Sequence, residues 1–146
     1  MPFKGPTDLT FNRGPVTDPG GLAKESGAAS WLFLCGEAFA SMEGGMSYDQ
    51  VRAAVGQSAN VVSDPPTEMT MDLAREHLAA LDSLPRPTLV TCRAGPRSSA
   101  VVYLYAGLKA GASADEVLAR ADADGAPFCG FDDLRAWVAQ GLEQLA

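Results

Sequence analysis

The run Thr91-Cys92-Arg93-Ala94-Gly95-Pro96-Arg97-Ser98-Ser99 places a thiol, a glycine and two guanidiniums within a few residues of one another. A thiolate is the nucleophilic form of cysteine, and cations and helix N-termini favour it. Gly95 permits a tight turn that aims successive backbone amides inward as an anion nest. Arg97 has the planar fork that grips two oxygens of a phosphate or sulfur oxyanion, and Ser98 can hydrogen-bond the sulfur. This chemistry is nucleophilic catalysis on a small oxyanion substrate, a phosphoester or a sulfur donor. Cys92 attacks while Arg93, Ala94, Gly95, Pro96, Arg97 and Ser98 form the cradle. A cysteine at a strand end is more often plain core; the glycine, the arginines and the following helix argue against that here.

The loop needs a strand before it and a helix after it, and the pattern supplies both. Thr88–Thr91 reads as a strand after Pro85 and Pro87, and Ser98 to Lys109 reads as a helix whose wide apolar face (Val101, Leu104, Tyr105, Leu108) predicts a central position. Trp31–Cys35 is a short apolar run that reads as a buried strand, Asn60–Ser63 as another, and Leu9–Phe11 as a brief one. Ser47-Tyr48-Asp49-Gln50 and Ser113-Ala114-Asp115-Glu116 are capping boxes, predicting helices to about Val55 and Asp124. Thr70 caps a helix to about Leu81 with Leu73, Ala74, His77, Leu78 and Leu81 on one face. A last helix from about Asp132 to Leu145 packs Leu134, Trp137, Val138, Leu142 and Leu145.

Residues 1–30, rich in Gly and Pro, are expected to be irregular, with the catalytic domain spanning 31–146. The fold class is therefore α/β: a single domain with a small twisted sheet flanked by helices.

A chain of 146 residues suits one such domain. Its formal net charge of −7 argues against nucleic acid or an anionic membrane as partner. No apolar run approaches the length of a transmembrane helix, and the N-terminus lacks the apolar core of a signal peptide, so the expected location is the cytoplasm. Three cysteines without a CxxC pair read as reduced thiols. One histidine among scattered cysteines offers no metal-ligand spacing, and no cofactor is expected.

The stretch Cys92-Arg93-Ala94-Gly95-Pro96-Arg97-Ser98 resembles the active-site loop of the beta-lactamase-hydrolase-like phosphatase family, a branch of the tyrosine and dual-specificity phosphatase fold. The likeness extends through residues 60–130, where Gly111-Ala112-Ser113-Ala114-Asp115-Glu116-Val117-Leu118 falls at the family's next helix. It implies a twisted sheet between helices, a cysteine nucleophile and an arginine oxyanion grip. Thr91 stands where the wider superfamily usually has histidine, and the Cys–Arg spacing is one residue shorter than usual there. Rhodaneses, which transfer sulfur through a persulfide, also use a short cysteine loop. Pro96 removes one amide from the cradle, so sulfur transfer stays open beside hydrolysis. A non-catalytic anion-binding module is a third possibility.

Hydrolysis requires a general acid for the departing oxygen. In the resembling superfamily that acid lies on a loop upstream of the nucleophile, which implies Asp64 in Ser63-Asp64-Pro65-Pro66, with Glu68 in reserve. Asp before Pro-Pro is equally good turn chemistry. His77 is expected to be a partly buried structural histidine, and Cys35 and Cys129 to be core.

Overall fold

The computed structural model describes residues 3–146. Four short strands, β1 (Leu9–Phe11), β2 (Ser30–Phe33), β3 (Gln57–Asn60) and β4 (Thr88–Thr91), form one parallel sheet in the order β1-β4-β2-β3. In β2 and β4, Leu32 and Val90 pack on one face of the sheet while Trp31, Phe33 and Leu89 pack on the other. That alternation, with both faces covered, is why these strands read as unbroken apolar runs.

One face carries α1 (Pro19–Ser26), α2 (Glu37–Ala40) and α3 (Tyr48–Ala54); the other carries α4 (Met71–Ser83), α5 (Pro96–Ala110), α6 (Ala114–Asp124) and α7 (Asp132–Gln144). Helix α5 is buried along most of its length, from Ser98 to Tyr105, as its apolar width predicts. Both capping boxes are formed, with Ser47 reciprocated by Gln50 and Ser113 by Glu116.

Three expectations need correction. Within residues 3–30 a helix stands beside the expected brief strand: α1 occupies Pro19–Ser26, where an irregular course was expected. Its Pro19-Gly20-Gly21 start looks like a breaker, yet proline suits the first helical position and the Asp18 carboxylate accepts from the Gly21 amide at 3.1 Å. Strand β3 is Gln57–Asn60, not Asn60–Ser63. It is an edge strand with polar residues, so apolar content misplaced it, although the chain continues along β2 through Val61 N–H to Phe33 O at 3.0 Å and Ser63 N–H to Leu34 O at 2.8 Å. Helix α5 begins at Pro96, not Ser98, again with proline in the first turn.

His77 is fully buried on α4, edge-on to Trp137 at 5.8 Å. The Ser63 hydroxyl donates to Val61 O at 2.9 Å, so its contact with His77 Nε2 at 2.7 Å requires an Nε2–H donor and leaves Nδ1 as a lone pair without a partner. Burial pushes the imidazole pKa down to about 3. The folded state therefore takes up a proton less readily than the unfolded chain, where histidine titrates near 6.5. Stability from this residue is complete above pH 6.5 and lost as pH falls toward 3, by about 1.4 kcal/mol per pH unit. Urea unfolding at pH 7, 6, 5 and 4 should show roughly 3 kcal/mol lost by pH 4 from this group. His77→Gln should flatten the limb between pH 6.5 and 4; an unchanged slope would assign the acid sensitivity to other groups.

Candidate active site

Parallel α/β sheets hold their ligands beyond the carboxyl ends of the strands. Here those ends release three segments that meet: Asn12–Gly14 after β1, Leu34–Gly36 after β2 and the Cys92 loop after β4. Cys92 sits at the floor, buried, with its sulfur inside the turn. The amides of Gly95 and Ser98 point at Sγ from 3.1 and 3.3 Å, and the Ser98 hydroxyl lies 3.5 Å away. With the N-terminus of α5 behind them, the two amides suit a sulfur anion, while the Ser98 hydroxyl gives its proton to Asn12 Oδ1 and accepts from the thiol. The amides of Arg93, Ala94 and Arg97 have no hydrogen-bond partner among the described residues. They remain for an oxyanion, and Pro96 contributes none.

Gly95 is required by geometry. Its φ is +114°, and a Cβ there would lie 2.2 Å from the backbone oxygen of Asn12. Asn12 is a site residue that sequence reasoning missed. Its Oδ1 accepts from Cys92 N–H at 3.2 Å and from the Ser98 hydroxyl at 2.8 Å, while Nδ2 donates to Cys92 O and Gly14 O at 2.9 Å each. Gly14 N–H adds a bond to Ala94 O at 2.8 Å. The N-terminal segment thus clamps the Cys92 main chain on both sides. The one local signal was turn composition, Asn12-Arg13-Gly14, directly after a strand.

Asp64, Cys92, Arg93, Ala94, Pro96 and Arg97 line a single cavity of about 250 Å³ together with Pro65, Phe131, Asp133 and Leu134. Gly95 and Ser98 are buried beneath it, and Glu68 lies outside it, exposed. The structure therefore brings Asp64 to the Cys92 cavity and leaves Glu68 apart. Asp64 is only 4% exposed and both its oxygens are engaged: Oδ1 accepts from Gly36 N–H at 3.0 Å and Oδ2 from Arg93 Nε at 2.8 Å. Arg93 also donates to Pro65 O at 3.1 Å and lies 5.7 Å from the centre of the Phe39 ring. Arg97 donates through Nη1 to the carbonyls of Thr67, at 2.7 Å, and Ser63, so it braces the Asp64 loop with one nitrogen. Its remaining N–H groups have no partner among the described residues.

The other two cysteines are set apart chemically. Burial first, then the negative charge of Asp64, pushes the Cys35 thiol well up. Cys129 is pushed up to about 11, mainly by burial and by its hydrogen bond to Asp122. Among the described residues no three His, Cys, Asp or Glu side chains converge as metal ligands, and no helix is long and apolar enough to cross a membrane.

A four-stranded parallel sheet between two helical layers, with a cysteine loop running from its second strand in spatial order into a buried helix, is the fold of the tyrosine and dual-specificity phosphatases. Solved structures agree. A candidate phosphatase from Neisseria meningitidis superposes with TM-score 0.67 at 15% identity, covering 91% of this chain and 92% of the other. A Shewanella putrefaciens candidate phosphatase of the DUF442 group, the beta-lactamase-hydrolase-like family that the Cys92 loop resembles, gives TM-score 0.64 at 19% identity, covering 94% and 87%. Tk-PTP in its active form gives TM-score 0.68 at 14% identity, covering 97% and 95%. No protein-family model matches the chain, and no curated protein matches it in sequence.

Proposed function

We propose that the protein is a cysteine-dependent phosphatase-like hydrolase that cleaves a small phosphoester through a phosphocysteine intermediate. The observation that carries this is the Cys92 sulfur ringed by two amides and a hydroxyl, below a cavity that also holds Arg93, Arg97 and a carboxyl at Asp64. In the first step Cys92 Sγ attacks phosphorus and the ester oxygen departs with its electron pair. The amides of Arg93, Ala94 and Arg97 and the free N–H groups of Arg97 bind the equatorial oxygens, where charge spreads in the transition state.

Asp64 supplies the proton to the departing oxygen. In the resting site it is paired to Arg93, and a phosphoryl dianion competes for that cation, which turns the Asp64 carboxyl toward the departing oxygen. Water then releases the phosphoryl group and returns the thiolate.

One observation favours a second reading. Arg97 spends a nitrogen on the loop carbonyls, and two cradle amides face sulfur itself, an arrangement that also suits a Cys92 persulfide in sulfur transfer. Acid-quenched mass spectrometry separates the two. After incubation with p-nitrophenyl phosphate, one phosphoryl group on Cys92 is expected, and thiosulfate should leave the thiol unmodified. A persulfide on Cys92 from thiosulfate, without any phosphoryl adduct, would replace hydrolysis by sulfur transfer.

A further inference from the structure

We infer that Asn12 is a positioning residue for the nucleophile: through the Ser98 hydroxyl it sets how readily Cys92 gives up its proton. This rests on Cys92 as the nucleophile of the reading above, whichever group the sulfur then takes on. Strand β1 lies beside β4 with Phe11 opposite Val90, so the chain leaving β1 runs next to the start of the Cys92 loop. Asn12, 5% exposed, is the first residue beyond that strand. Its amide cannot turn. Nδ2 is pinned between Cys92 O and Gly14 O at 2.9 Å each, and Oδ1 therefore faces Cys92 N–H and the Ser98 hydroxyl.

The movable part is the hydroxyl, which turns about one single bond and has one proton to give. Three acceptors lie around it: Asn12 Oδ1 at 2.8 Å, Gly95 O at 3.1 Å and Cys92 Sγ at 3.5 Å. With its proton on Asn12, the hydroxyl oxygen accepts from the thiol, a bond that only the neutral sulfur makes and that disfavours ionisation. When Cys92 ionises, the S–H proton leaves to solvent and the electron pair stays on Sγ, which becomes an acceptor. The hydroxyl then breaks its bond to Asn12 and donates to the thiolate, beside the Gly95 and Ser98 amides. Sulfur released from a covalent intermediate asks for the same turn. Asn12 is thus the thiolate's rival for the hydroxyl proton, and the strength of its hold shifts the balance. The titratable groups near the sulfur stay as they are in the variants below: Arg93 and Arg97 on its own loop, Asp64 after β3, Asp133 on α7 and the Cys35 thiol after β2.

The test is the pH dependence of Cys92 alkylation by iodoacetamide, read by peptide mass spectrometry, in a cycle of Asn12 and Ser98 variants. Asn12→Leu keeps the shape and removes the acceptor. It should move the midpoint of the rate profile down by about 0.5–1 pH unit, the worth of one neutral hydrogen bond. Adding Ser98→Ala should erase most of that shift, since no hydroxyl is then left to release. Asn12→Asp is the second variant, should the leucine chain fail to fold. It keeps an acceptor whose charge holds the hydroxyl harder, so the midpoint should rise, and rise less once Ser98 is alanine. A midpoint that Asn12→Leu leaves in place or raises would make Asn12 a clamp of the main chain only. Shifts of equal size with and without Ser98, in either variant, would do the same. Alkylation needs no turnover, so the reaction is judged apart. The expected cycle, in a protein that leaves p-nitrophenyl phosphate uncleaved, would overturn hydrolysis and keep the role of Asn12.

Discussion

Cys92→Ser is expected to reduce turnover of an aryl phosphate to background, a loss of more than about 10⁴-fold. A hydroxyl in that place is a far weaker nucleophile, and nothing beside it serves as base: the only histidine, His77, is buried against Trp137 and bonded to Ser63. The fold should survive, because serine keeps the volume and can accept from the Gly95 and Ser98 amides that now face sulfur. Cys35→Ala and Cys129→Ala are the contrast. Both thiols are held neutral, by burial first in each case, and neither lines the cavity. Each variant should keep activity within about threefold of the unaltered protein, at some cost in stability for the buried Cys35. Iodoacetate at neutral pH should likewise modify Cys92 before the other two. If Cys92→Ser retained activity, the nucleophile would lie elsewhere and the cavity would be a binding site only.

The features legible in the amino-acid sequence are local ones. A loop bounded by a strand and a helix, with glycine and arginine at short spacing, is contiguous, and so are the capping boxes at Ser47 and Ser113. The helix faces of α4 and α7 follow from period alone. What escapes such a reading is long-range. Asn12 reaches Cys92 and Ser98 across 80 and 86 residues, and no local pattern around an asparagine says which main chain it will clamp. The ion pair from Arg93 to Asp64 escapes in the same way: each residue suggests its own role, as an anion ligand and as an acid, and neither points to the other as partner. Asp133 looks like one of two ordinary acids at a helix start, a placement the helix dipole already explains. Only the packing of α7 beside the loop makes it part of the cavity. Helix α1 and strand β3 are missed for a different reason, since proline-glycine starts and polar edge strands lack the apolar period on which the expectation rests.

Asp64→Asn is expected to slow hydrolysis in proportion to how badly the departing oxygen needs a proton. For an alkyl phosphate, whose alkoxide is a poor leaving group, the loss should approach the roughly 10²–10⁴-fold that a positioned acid contributes. For p-nitrophenyl phosphate, whose phenoxide departs without help, it should be less than about tenfold. The substitution is well suited to the question because asparagine can keep accepting from the Gly36 amide while giving up both the proton and the charge that holds Arg93. Freed from that pair, Arg93 should bind the phosphoryl group sooner, so KM for both substrates is expected to fall even as the alkyl rate collapses. That opposite movement distinguishes an acid from a structural carboxylate: were Asp64 merely a brace for Arg93 and Gly36, its loss would disorder the loop, raise KM and slow both substrates alike. Equal slowing would return Asp64 to turn chemistry before Pro65. Unchanged hydrolysis of the alkyl ester, with Cys92 accepting sulfur from thiosulfate, would shift the reaction itself, since transfer of sulfur to a thiol has no alkoxide to protonate.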